Sequence, residues 1–478
     1  MPIAEFALIM PIVFLLAASC MVLLVGLIPG TRPATMYALA QAGLLLTAVL
    51  AASGHVSAPM TAFGGMFVRD SLSDTLDIVV CLLASGTLVY SRTYLRDRGM
   101  YRAEYFVLAM FGVLGMMIIN SAGHFLSLYL GLELMSLSMY SMLAFQRDSA
   151  RATEAAMKYF ILGALASGLL LYGLSMLYGV THTLSIPAVA QAIAALPPGN
   201  MVLIFGLVFV VVGLGFKLGA VPFHMWVPDV YDGAPTAVTL YISTAPKVAA
   251  LALFLRLLVG GLSSLSSSWQ EMIIILAFLS IVLGNVVAIA QQNLKRMLAY
   301  SAISHMGFAL LGIASARAEG YAAAVFYLIV YAVMSLGAFG LLALLSHGTT
   351  EIERIDDLKG LNQRSPWYAF LMLLLMFGMA GVPPTAGFYA KLLVIQAVVD
   401  VHLIWLAVTA VLFSVVGAFY YLRVVKVMYF DAPETQEPIV IPFDGGVLLG
   451  LNGLSMLLLT PWVASLLSVC RAAVAGLP

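Results

Sequence analysis

The chain has 478 residues, with 22 Lys+Arg against 22 Asp+Glu and a formal net charge of zero. Hydrophobic residues make up 63% of it and charged residues 9%, and mean hydropathy is +1.05. This composition leaves almost nothing for a water-soluble domain. It also gives nucleic-acid binding no support, because no basic cluster combines with exposed aromatics.

A membrane-spanning helix needs about 20 apolar residues. The apolar runs predict an all-α polytopic membrane protein, one transmembrane domain over 1–478, with about 14 spans. They cover 6–28, 35–54, 75–95, 104–122, 124–145, 157–179, 201–219, 237–258, 271–291, 297–316, 321–346, 367–400, 403–428 and 446–470. The first run begins near Phe6 without a basic leader and reads as a span, not a cleaved signal peptide. Cys20, Cys81 and Cys470 are scattered through apolar segments and fit neither a disulfide framework nor a metal site.

Five charged residues stand out within these runs: Glu133, Lys158, Lys217, Lys247 and Lys391. An ionisable group at bilayer depth is costly and by default marks an ion or proton path. Glu133 comes first, with Tyr129, Ser136 and Tyr140 on its helical face. A Glu that only ties helices together is the bland reading. Lys158 lies near the start of its span, where it can also snorkel to the interface. Lys217 precedes Pro222, which cannot donate to the carbonyl of Leu218, so the seventh span breaks just after Lys217. His224 sits beside that break. Asp229 and Asp232 read as solvated turn formers in Pro-Asp and Asp-Gly contexts. Lys247 follows Pro246, which frees the carbonyl of Ile242 as an acceptor. In the tenth span Tyr300, Ser301, Ser304 and His305 form one polar side, and in the eleventh Tyr327, Tyr331 and Ser335 step by four. A lone helical His is usually a packed residue; these neighbours make His305 a candidate member of a water chain. The twelfth span breaks at Pro383 and Pro384, and Lys391 follows two turns later.

The two breaks are five spans apart, so their helices run in opposite directions. Spans 4–8 (104–258) and 9–13 (271–428) therefore read as two inverted five-helix repeats, each with a broken helix. Ordinary proline kinks are the alternative. Basic residues cluster on alternate loops: Arg32, then Arg92 to Arg102, Arg147 and Arg151, Lys295 and Arg296, then Arg354, Lys359 and Arg364. Arg69, Arg317 and Arg471 fall on the other side, and Arg256 is ambiguous. Basic loops face the cytoplasm, which puts both termini on the opposite, periplasmic side of a bacterial inner membrane.

A buried ammonium is disfavoured by desolvation and favoured by a nearby carboxylate. At ~7 Å and an effective dielectric of ~20 that attraction is about 2.4 kcal/mol. Neutralising a Glu can thus switch a Lys between holding and releasing a proton, with no cofactor.

The run Leu214 to Thr236, continuing to Pro246-Lys247, resembles the signature of the antiporter-like membrane subunits of respiratory complex I, the proton-pumping NADH–quinone oxidoreductase. The stretch Leu294 to Gly307, Asp357-Leu358-Lys359-Gly360-Leu361 and Gly381 to Phe388 carry the same resemblance over nearly the whole chain. Chain length, Lys391 and Lys158 resemble the N-type branch. The resemblance implies that Glu133 and Lys217 form a modulating pair, Lys247 is the central relay, and Lys391 serves the second half-channel. It implies no cofactor here, with NADH, flavin, iron–sulfur clusters and quinone held by other subunits, and further antiporter-like subunits and lipid as partners. A subunit of a cation/proton antiporter or membrane-bound hydrogenase, and a membrane scaffold without its own proton path, stay open at this point.

Overall fold

The computed structural model describes residues 3–477 apart from 55, 57, 198, 347, 349 and 435–438. Helices dominate, and they pack around one continuous apolar core. Eleven helices are long and apolar enough to cross a membrane, or twelve if the bent pair Phe443–Leu458 and Thr460–Val474 is one span. Three shorter apolar helices, Met10–Gly26, Pro366–Ala380 and Ala386–Val399, overlap the first and twelfth expected spans. The last two are each cut short at a break between them, so neither alone reaches bilayer thickness.

Local signals set the helix ends. Asp70 accepts from the Ser73 backbone while the Ser73 side chain answers the Asp70 N–H, a capping box that starts Ser71–Asp97. Asn200 and Asn293 cap Met201–Leu218 and Leu294–Ala314 with their side-chain oxygens, which accept backbone N–H groups of the first turn. The second of these helices begins three residues before the expected span. Lys295, expected in a loop, is therefore buried on its first turn and donates to the Ala234 carbonyl at 3.0 Å. Helix Ala150–Thr181 likewise starts earlier than the predicted span, at the Ser149 cap.

Two helical hairpins are closely packed. Ala103–Asn120 packs along Phe125–Leu143, and Ser266–Ala290 along Leu294–Ala314. Glycine lets the backbones approach closely in each: a Cβ at Gly115 would lie 2.5 Å from the Met135 nitrogen, and one at Gly284 2.7 Å from the Ser304 nitrogen. The most apolar stretch of the span Thr236–Gly261 is buried throughout. The span is interrupted at Ser243 and Thr244 and ends in π-helical turns, Leu255–Gly261. The all-α expectation has one exception. Met60–Ala62 and Phe67–Arg69 form a small antiparallel hairpin pairing Met60 with Arg69, closed by Gly64 and Gly65 at positive φ.

Candidate proton-transfer row

The first break is made by Gly219, three residues before the proline expected to cause it. Helix Met201–Leu218 ends with Gly219 at φ 81°, and the Gly219 and Ala220 N–H groups return to the carbonyls of Phe216 and Gly215 at 3.0 and 2.8 Å. This Schellman cap satisfies two of the last carbonyls and leaves that of Leu218 open. The Lys247 ammonium fills it, with Nζ 2.8 Å from the Leu218 oxygen. The carbonyl of Ile242 is not its partner. Pro246 instead sits at the start of Ala245–Phe254, where a missing N–H costs nothing. Lys247 also lies 4.8 Å from the centre of the Trp226 ring. That indole is fixed by its bond to the Phe216 carbonyl and by stacking on Tyr159.

Lys217, on the last turn before the same break, turns the other way. Its Nζ donates to Ser136 Oγ at 2.8 Å, and Ser136 in turn donates to the Leu132 carbonyl. Glu133 is one turn before Ser136, close enough for its charge to act on Lys217. Its Oε1 is buried without a hydrogen-bond partner. Lys217 thus reaches the helix of Glu133 through a serine on the Glu133 face. His224 has its Nδ1 buried and unpartnered, and no hydrogen bond joins it to either lysine. Pro222 is exposed.

The second break repeats the cap. Helix Pro366–Ala380 ends with Gly381 at φ 82°, and the Gly381 and Val382 N–H groups return to Gly378 and Phe377 at 3.1 and 2.9 Å. The open carbonyl is that of Ala380, and Lys391 donates to it at 3.0 Å. Lys391 reaches back from the second half-helix, Ala386–Val399, and also donates to Ser414 Oγ at 3.0 Å. Both breaks carry a cis X-Pro bond, Val221–Pro222 and Pro383–Pro384.

Between the breaks lies His305, 2% exposed. Its Nδ1 bonds Tyr327 OH at 2.6 Å and its Nε2 bonds Tyr421 OH at 3.1 Å. Tyr421 shares a further 2.5 Å bond with Ser301, and the Tyr331 ring stands 5.0 Å from the imidazole. Ser304 is held by Asn285, which also accepts from Tyr420. Lys391 is the ammonium whose charge reaches His305. Tyr300, expected on this side, lies near Arg296 instead. The hydroxyls of Tyr140, Tyr231 and Ser335 are buried with no partner. These polar atoms lie on the elements that carry the row.

Lys158 stands apart from the row. It is 44% exposed at the side chain and pairs with Glu154 and Asp229, each at 2.9 Å. Asp229 also bonds Arg296 at 2.9 Å, while Asp232 bonds Arg151 at 2.5 Å and Asn293 at 2.7 Å. The turn-former reading of these aspartates is corrected. They lie on a short helix, Trp226–Gly233, and tie it to Ala150–Thr181 and Leu294–Ala314 through ion pairs. Partial burial pushes the Asp229 carboxyl up, but bonds from Lys158 and Arg296 outweigh this and hold it below the usual carboxylate range. Glu353 is held low in the same way, burial being outweighed by Arg151 and Lys295.

Sequence reading missed Asp77 and Asn120, and it left Arg256 undecided. The signal was present: Asp77 lies inside the third predicted span and Arg256 inside the eighth. Among the described residues no cluster of His, Cys, Asp or Glu could hold a metal ion.

Residues 122–417, a segment that holds Glu133, both breaks and His305, match the family described as NADH:quinone oxidoreductase/Mrp antiporter, transmembrane. The chain belongs to this family. A relative in Thioalkalivibrio sulfidiphilus, named NADH-quinone oxidoreductase subunit N, is 56% identical over 99% of both chains. One of the same name in Thiobacillus denitrificans is 55% identical over 98% of both. Among solved structures, a chain of respiratory complex I from Thermus thermophilus, with bound aureothin, superposes with a TM-score of 0.83. It is 30% identical and covers 96% of this chain and 98% of its own. A chain of an archaeal membrane-bound sulfane sulfur reductase shares the fold, with a TM-score of 0.87 at 23% identity, covering 99% of this chain and 97% of its own.

Proposed function

We propose that this family member works as a proton-translocating membrane subunit of an NADH-quinone oxidoreductase. It is a multi-pass membrane component alongside the other membrane subunits of that complex, and the redox chemistry at flavin, iron–sulfur clusters and quinone takes place in other subunits. The relatives' names and the family match support this reading. The observation that carries the mechanism is the pair of lysines, each seated on the open carbonyl of a glycine-capped half-helix.

A half-helix C-terminus concentrates negative partial charge and favours an ammonium there. Burial opposes the charge. Each lysine therefore sits in a balance that a nearby charge can tip. At the first break the tipping group is Glu133: protonating it weakens the hold on the Lys217 proton, and ionising it restores that hold. Loading Lys217 repels charge on Lys247, and loading Lys247 is felt farther along the row. His305, with one ring nitrogen on Tyr327 and the other on Tyr421, can pass a proton through its ring toward Lys391. The buried hydroxyls of Tyr231 and Ser335 supply the kind of polar site that holds a bridging water.

In this reading the chain crosses the membrane 14 times. Residues 104–258 and 271–428 are inverted repeats, and the basic-loop face is cytoplasmic with both termini on the other side. Glu133, Lys217, Lys247, His305 and Lys391 carry the proton. Lys158 guards the cytoplasmic surface through Asp229. His224 is peripheral.

The test is Lys217→Ala in inverted vesicles, with complex assembly verified and NADH oxidation and proton uptake recorded together. Oxidation and uptake should fall in parallel. Native values of both in an assembled complex would make Lys217 structural and refute the relay.

A further inference from the structure

A second set of buried charges gathers at the start of helix Ser71–Asp97, at the end of the molecule remote from the basic loops. Arg69 pairs with Asp74 at 2.9 Å and donates to the carbonyls of Leu8 and Ala51. Arg256 makes two bonds to Asp70, at 2.6 and 2.8 Å, and its Nε and Nη2 both donate to the Asn120 carbonyl. Two cations are thus matched by two acids, and burial of the Asp70 carboxyl is outweighed by Arg256, which holds it low.

Asp77 is a third acid in this set. It is 5% exposed and forms no ion pair among the described residues. Its Oδ1 accepts from Asn120 Nδ2 at 2.8 Å. Asn120 is completely buried, and its own Oδ1 has no donor. A carboxylate only accepts hydrogen bonds, so it cannot serve that oxygen; a carboxylic acid can close the second bond with its O–H. An ionised carboxylate without a cation is also the costly state at this depth. The charged groups near Asp77 are Asp74, Arg69 and Arg256, and the buried Cys81 thiol lies one turn farther along the helix.

We propose that Asp77 and Asn120 form a proton-holding site on the non-cytoplasmic side, from which a proton leaves to the outer water. The inference rests on the proton-translocating reading above. In the release step the Asp77 O–H bond breaks and the proton passes to water. The carboxylate keeps its bond from Asn120 Nδ2 within the field of Arg256. Reprotonation from inside the membrane restores the acid, and no electrons move. Arg256 links the site to the row, because it shares the single span Thr236–Gly261 with Lys247. It lies in the π-helical turns of that span, a local geometry frequent at functional sites.

Asp77→Asn keeps the shape and can make both bonds to Asn120, yet it has no proton to release. In inverted vesicles holding the assembled complex, the rate of NADH-driven proton uptake should fall severalfold in D77N, as it should in a parallel Lys247→Ala sample. Native uptake in D77N beside a deficient K247A overturns this proposal and leaves the proton-translocating reading standing. Native uptake in both removes both. If D77N does not assemble, infrared spectra of the native complex with isotope-labelled aspartate carboxyl carbons decide. A protonated carboxyl band that moves in Asn120→Ala supports the site, and no such band, or one indifferent to N120A, overturns it.

Discussion

The two helix breaks share a cap and an acceptor but not the origin of the lysine. At Gly219 the open carbonyl takes Lys247 from the next span; at Gly381 it takes Lys391 from the second half of the same broken span. The first break also has a second lysine, Lys217, linked through Ser136 to the helix of Glu133. At the second, the position matching Lys217 is Met379, and the polar neighbours of Lys391 are Ser414 and the His305 cluster. What repeats is the backbone device that makes a cation site. The surroundings differ: the helix of an acid lies beside the first break, while a histidine and tyrosines lie near the lysine of the second.

That contrast can be broken most directly by a pair of double-mutant cycles on proton uptake in the assembled complex. Glu133→Gln and Lys217→Ala should each lower uptake about tenfold, the scale set by losing ~1.4 kcal/mol. Their double variant should be hardly worse than either, because they act as one unit. Glu133→Gln combined with Lys391→Ala should be close to additive. Equal coupling in both cycles would remove the distinction between the halves.

The next effect concerns the caps. Both glycines hold positive φ, so Gly219→Ala and Gly381→Ala should each cost about 1–2 kcal/mol of stability in thermal melts of the complex. They should differ in function. A Cβ at Gly381 would press on Lys391 Cδ at 2.8 Å, whereas one at Gly219 would meet Val227 first, at 2.7 Å, with Lys247 Nζ at 3.3 Å. Uptake should therefore suffer more in G381A. An equal loss in the two would mean that the strain, not the lysine contact, governs.

Smaller still is the effect of Tyr327→Phe. It removes one of the two hydroxyls on His305 but spares Tyr421, so uptake should drop only a few fold while Tyr327→Phe/Tyr421→Phe drops much further. A double variant that pumps natively would take His305 out of the row.

The smallest effect lies at the surface that carries the basic loops. Asp229 and Glu353 have carboxyls held below their usual range, so their ion pairs contribute above the unfolded values of ~4 and are lost as pH falls through the lowered folded ones. Detergent-solubilised complex should hold together to a lower pH with both acids present than in Asp229→Asn/Glu353→Gln, and the two should match near neutrality. A difference that appears only above pH 7 would contradict the sign. The Asp229 pairs are partly exposed, so the gain is screened and small.

Much of this was legible in the sequence, because a charge in an apolar run has few explanations. Glu133, Lys217, Lys247 and Lys391 stood out on that ground alone, and Ser136, read on the Glu133 face, is where Lys217 docks. The breaks were located within a residue or two but blamed on proline. Pro222 and Pro383 fall after the helices have already ended, and the left-handed Gly219 and Gly381 do the ending. The partner of Lys247 was misplaced because periodicity reports which residues share a helix face, not which carbonyl of another helix lies opposite. Lys158 looked like a span residue, and its helix starts seven positions before the predicted span, but its partner Asp229 arrives from a short helix that composition does not reveal. Asp77 falls near the start of its predicted span, where a charge can equally be interfacial.

The central claim is that the lysines on the two open carbonyls do the same job. Lys247→Ala and Lys391→Ala, measured side by side as the rate of NADH-driven proton uptake in assembled complex, test it most directly. The account predicts that both rates collapse to a similar degree. An assembled complex that pumps at the native level without either lysine would contradict it.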